Sequence, residues 1–127
     1  MTVSFTIMGE ASSGKNSRKI VTNPKTRRPF LIKSKKARAY FKAVAAQAPR
    51  CEPLLTGQLR MTATLYYATE RPDLDAGVLL DALQGRVYKN DRQVREQHLY
   101  HAIDRNSPRA EVTVEVIQDD HVLQDAA

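Results

Sequence analysis

The first alternation along the chain sets Val3, Phe5 and Ile7 against Thr2, Ser4 and Thr6, the period of a strand with one buried face. Residues 9–23 are polar, glycine-containing and basic, hence a loop, with a short strand at 19–22 that can pair with residues 30–32 across the turn-like Asn23-Pro24. Ser34 can cap a helix. Ala37, Tyr40, Phe41, Val44, Ala45 and Ala48 recur there at helical spacing and stop before Pro49, while Lys35, Lys36, Arg38 and Lys42 fall on the other faces.

Alternation returns over residues 58–69, with Leu59, Met61, Ala63, Leu65 and Tyr67 on one face, and Arg71-Pro72 ends that strand. Residues 73–84 read as a second helix, Val78, Leu79, Ala82 and Leu83 inward, closed by Gly85 in the C-terminal position that favours glycine. Strands follow at 94–103 and 110–118, joined as a hairpin by Asn106-Ser107-Pro108. The prediction is an α+β (mixed α/β) fold, a small mixed sheet with two main helices packed on it. One domain covers residues 1–118, and residues 119–127 form a flexible polar tail.

Length agrees: 127 residues bury one core of ordinary size and not two. No apolar run approaches the ~20 residues of a membrane span, and the first residues lack the pattern of a signal peptide, so a cytoplasmic protein is expected. The lone Cys51 makes neither an internal disulfide nor a Cys-type zinc site, and no histidine pairs with it as a base.

Charge changes the picture. The net +6 divides into two unlike parts: residues 1–50 hold twelve Lys or Arg against the single acid Glu10, and the remainder holds eight against thirteen acids. A half that excludes acids over fifty residues suggests a polyanion held on one side. The plain alternative is that the lysines solvate a helix face.

Two motifs compete for phosphate chemistry. Residues 9–16, Gly-Glu-Ala-Ser-Ser-Gly-Lys-Asn, come within one residue of a P-loop, but Asn16 lacks the hydroxyl that would reach Mg²⁺ and no helical periodicity follows. No nucleotide cofactor is expected. Asp73 and Asp75 instead stand two apart where strand passes to helix, and Asp91 follows the helix and a short loop that can return to the same end. Three hard oxygen ligands without His or Cys suit Mg²⁺ or Mn²⁺, which activate water and neutralise charge on a phosphate. Helix capping by Asp73, with Asp75 favoured by the helix dipole, is the competing explanation. Asp81 lies about 240° around the helix from Asp75 and points elsewhere.

The run Asp73-Leu74-Asp75, a helix carrying Leu80-Asp81-Ala82-Leu83-Gln84-Gly85, then Val87-Tyr88 and Asn90-Asp91-Arg92-Gln93-Val94, resembles the core signature of the RusA-type Holliday junction resolvases, small phage and bacterial endonucleases. The resemblance implies a homodimeric, Mg²⁺-dependent endonuclease (Mn²⁺ being the other candidate ion) that cuts two opposed strands of a four-way DNA junction. Asp73, Asp75 and Asp91 match its essential carboxylates. Lys15, Arg18, Lys19, Arg27, Arg28, Lys33, Lys35, Lys36, Arg38, Arg71 and Lys89 are the candidate DNA contacts.

There are departures from the pattern. Ala76 and Leu79 stand where the family has Asn and an essential Lys, and Asn90 stands for an Asp. Lys89, Arg71 and Arg86 are the cations able by sequence to replace that lysine; otherwise the protein binds branched DNA without cutting it efficiently. His98 and His101, three apart in a strand, point to opposite faces and are read with His121 as surface residues, and Tyr66 and Tyr67 as sheet packing.

Overall fold

The computed structural model describes residues 1–14 and 18–118. In chain order the elements are β1 (Thr2–Met8), β2 (Arg18–Thr22), β3 (Pro29–Lys33), α1 (Lys35–Gln47), β4 (Gln58–Tyr67), α2 (Gly77–Ala82), a 3-10 turn (Asp91–Gln93), β5 (Val94–Ile103) and β6 (Arg109–Gln118). This is the α+β class expected, with β2 and β3 forming a separate two-stranded sheet. The expected tail, residues 119–127, lies outside the described residues.

Strand β4 carries the design of the fold. Its alternation is complete: Leu59, Met61, Ala63, Leu65 and Tyr67 are all at most 2% exposed, and every residue between them is half-buried on the opposite face. Ala110, Val112 and Val114 of β6 and Ile7 of β1 extend the same inner face, against which α1 packs Ala37, Tyr40 and Val44. Ala45, expected inward, is exposed. Ser34 caps α1 as its side chain predicts, Oγ accepting from Ala37 N at 3.2 Å, and the Gln47 amide ties the helix to β1 through both the N–H and the C=O of Met8.

The main sheet has the order β1-β6-β4-β5, which corrects the expected hairpin: β5 and β6 each pair with β4 and not with each other. The linker decides this. Asp104 N–H bonds to Tyr67 C=O, so the chain crosses the end of β4 before turning back. The Asp104 carboxylate then closes the turn, accepting from Asn106 N, Ser107 N and the Arg109 guanidinium. That guanidinium holds the Asp104 carboxyl below the usual carboxylate range, with the Ser107 N–H helping.

Strand β5 runs parallel to β4, with Leu59 opposite Val94 and Tyr67 opposite Ile103. Parallel neighbours need a crossover, and residues 68–93 supply it, carrying α2 over the sheet. The second helix is shorter than expected: it spans Gly77–Ala82, not 73–84. Its start is delayed because residues 73–76 hold their own irregular path, and it ends on the cap residue Leu83, so that Gly85, with φ +83°, stands beyond the helix end in the turn that follows, its N–H bonded to Tyr88 C=O.

Candidate active site

The end of β4 builds the site. Tyr67, pointing inward and 2% exposed, extends its hydroxyl beneath the segment that follows: it donates to Asp73 C=O at 3.1 Å and accepts from Asp75 N–H at 3.4 Å. Burial raises the Tyr67 pKa above its ordinary value; the Asp75 N–H works against it as the next effect, and the charges of Asp75, Glu10 and Asp73 add to the rise, so the phenol stays a neutral donor at neutral pH. One residue assigned to sheet packing therefore also fixes the backbone of the two-aspartate segment.

Asp75 is held from two sides. Its Oδ1 accepts from Gly77 N at 2.8 Å, its Oδ2 accepts from Gly14 N at 2.8 Å, and Ser13 Oγ lies 3.4 Å from Oδ2. The Gly77 bond makes Asp75 an anchor at the start of α2, whereas Ala76, the cap residue itself, contributes no side-chain bond. The Gly14 bond reaches across 61 residues, and such a bond to a carboxylate is the stronger, charge-assisted kind. Both glycines are tight against the carboxylate: a Cβ at either would stand 3.1 Å from an Asp75 oxygen. After Gly14 the described chain resumes as strand β2, not as the helix a P-loop requires. Gly14 serves the carboxylate of Asp75.

Asp73 lines a cavity of about 620 Å³ walled by residues 9–13, by Lys36, Ala39, Tyr40 and Ala43 of α1, and by Arg71 and Pro72. The spacing of the helix residues puts one stripe of α1 along this wall, headed by a cation and opened by two alanines. Two sequence candidates, Lys36 and Arg71, thus meet Asp73 here. Two residues that sequence reasoning missed also belong to the site. Glu10 lines the cavity and accepts from Ala68 N–H. His101 stacks on Tyr67 at 4.7 Å and contacts Pro72 C=O through Nε2 at 2.9 Å. His101 is exposed, as expected, and lies on the opposite face of β5 from His98, but it also braces the acidic segment.

Asp91 does not join the pair. Because β5 is parallel to β4, the turn that enters β5 stands at the end where β4 begins, and eight strand residues span roughly 26 Å. Asp91 N–H bonds to Gln84 Oε1, Gln84 Nε2 bonds to Asp81 Oδ1, and the Asn90 and Gln93 side chains form a capping box around the turn. Among the described residues no group of three His, Cys, Asp or Glu comes close enough to hold a metal ion. The expectation of three carboxylates at one point of a single chain is not met among the described residues, and Asp73 and Asp75 remain as neighbours in sequence at the end of β4. Two still fit Mg²⁺, which is commonly bound by one or two carboxylates with waters and substrate phosphates completing the octahedron, and Asp75 Oδ1 with one N–H on it retains a lone pair.

The other cations are dispersed. Lys15 lies outside the described residues. Arg18 and Lys19 are on β2, Arg27 and Arg28 in the β2–β3 turn, and Lys35 and Arg38 on the exposed start of α1. Lys33 lies over the Phe41 ring at 4.6 Å. Lys89 stands in the turn region of Asp91, and Arg86 donates to Ala48 C=O. Leu79, at the family's lysine position, is fully buried.

A family model described as endodeoxyribonuclease RusA matches residues 11–115, most of the chain. The chain belongs to the RusA family. Membership implies a Holliday-junction-resolving endonuclease, of a kind generally dependent on a divalent metal. A comparison with curated proteins finds no match. Within the RusA frame, the buried Leu79 means that any cation serving this site comes from elsewhere than α2, and Lys36 and Arg71 line the cavity with Asp73.

Proposed function

We propose that the protein is a Mg²⁺-dependent endonuclease that resolves four-way DNA junctions as a homodimer in the cytoplasm, one cut per subunit. The observation that carries this reading is Asp75, clamped by the N–H groups of Gly14 and Gly77, two residues from Asp73, which lines a cavity together with Lys36 and Arg71. Asp73 and Asp75 would hold Mg²⁺, or Mn²⁺ in its place, and an ion bound there supplies activation of water and neutralisation of the phosphate charge. The chain's own residues do the rest. Gly14 and Gly77 hold the Asp75 carboxylate in one orientation, and Tyr67 and His101 hold the backbone that carries both aspartates. Lys36 and Arg71 attract the DNA strand and stabilise negative charge at the phosphate. Asp91, at the far end of α2, reaches such a pair only across the two-fold of a dimer, which also supplies the two sites that symmetric cutting needs. The remaining bases of residues 15–38, with Lys89, contact the phosphate framework by charge.

The buried Leu79 favours a second reading, in which the protein binds branched DNA and cuts it inefficiently. A synthetic four-way junction with Mg²⁺ separates them. Paired nicks lost in Asp75→Asn support the nuclease; a gel shift without nicks supports the binder and overturns the first reading.

A further inference from the structure

The β2–β3 hairpin is an unusual surface for a small domain. Val21 and Ile32 are half-buried on one face, while on the other Ile20 and Leu31 face each other across the two strands at 70% and 61% exposure. Phe30, opposite Val21 on the first face, is 46% exposed. Large aliphatic side chains are rarely so uncovered as a contiguous pair, and a two-stranded ribbon gains little stability by itself. Around this pair residues 18–33 carry Arg18, Lys19, Lys25, Arg27, Arg28 and Lys33 and no acid. Two copies of this surface brought face to face would repel. A partner that is anionic and also offers flat apolar faces fits both features, and nucleic acid with unstacked bases is such a partner.

We infer that the hairpin is a wedge, Ile20 and Leu31 entering between the bases at the branch point of a DNA junction while the surrounding bases hold its phosphates. The inference rests on the junction-binding reading above and deepens it. Its placement is favourable: the hairpin starts four residues after Gly14, whose N–H holds Asp75, so a wedge seated at the branch point brings the adjoining phosphates toward the carboxylates. A duplex offers no such opening without unstacking a step, whereas branch-point bases are already partly released.

The test uses the full chain and a four-way junction carrying 2-aminopurine at the branch point, without divalent ion, with emission and anisotropy read together. Wild-type protein raises the emission on binding. Ile20→Ser/Leu31→Ser loses that rise and binds the junction about tenfold more weakly, the scale of lost stacking on a base. Ile20→Met/Leu31→Met, which keeps an apolar wedge, retains the rise. Persistence of the rise in the serine variant overturns the wedge, as does wild-type binding with unchanged emission. A serine variant that becomes monomeric in light scattering assigns this face to a second copy instead. Failure of wild type to bind the junction at all overturns the proposed function with it.

Discussion

Asp75 and Asp91 belong to one short stretch of sequence and stand at the two ends of α2, yet they are held in different ways. Asp75 has its side chain clamped by the peptide N–H of Gly77, two residues on, and by that of Gly14, far away in sequence, over a neutral tyrosine hydroxyl. Asp91 is anchored through its backbone, by the Gln84 amide within a capped 3-10 turn. The first arrangement is preorganised for a charge that must not move. The second fixes where a carboxylate starts, through its backbone and a capped turn. The contrast shows that acidic residues of one short sequence motif can be divided between two stations of the fold.

The strongest way to break this comparison is Asp75→Asn, for which about a 10³-fold loss of junction cleavage is expected with binding retained in a gel shift. Retained cleavage would remove Asp75 from the chemistry. Mixing Asp75→Asn chains with Asp91→Asn chains sharpens it further. If the two carboxylates act across a dimer, the mixed dimer has one intact site and nicks a single strand, whereas either variant alone is inactive. No nicks in the mixture would place both residues in the same site of one chain.

Gly14→Ala carries a smaller expected effect, about tenfold on cleavage, because the new Cβ stands 3.1 Å from Asp75 Oδ2 and must displace it by a few tenths of an ångström. An unchanged rate would show that this clamp is not needed. Tyr67→Phe removes the hydroxyl that serves Asp73 C=O and Asp75 N–H, with an expected cost of about 1–2 kcal/mol in urea unfolding. The smallest effect is with pH. Burial raises the pKa of Tyr67, and of Tyr40 and Tyr88 for the same first reason, from an ordinary value near 10. A group with a raised folded pKa contributes its full stability below the unfolded value, so the contribution of these tyrosines to the unfolding free energy is flat to about pH 10 and falls above it. Titration of phenolate absorbance checks this: three tyrosines must ionise later than in the unfolded chain.

Periodicity made the core legible. The alternation of β4 and β6, the Ser34 cap and the α1 stripe of Ala37, Tyr40 and Val44 followed from local sequence pattern alone, because burial of one face is a local pattern repeated along an element. The Asp73-Leu74-Asp75 pair was legible for a different reason, as a motif. Glu10 and His101 gave no comparable signal, since neither occupies a patterned position and their roles arise only when β1, β5 and the end of β4 meet.

By itself, then, the sequence determined the α+β class, the one-sided core, the basic half and the two carboxylates that follow β4. Tertiary structure alone decided that β5 and β6 flank β4, that Asp91 stands apart from Asp73 and Asp75, that Gly14 clamps a carboxylate in place of phosphate, and that Ile20 and Leu31 are uncovered. The reason is physical. Local spacing records which face of an element avoids water, whereas strand order and long-range hydrogen bonds depend on how a linker such as Asp104 closes, and that is settled only when distant segments pack.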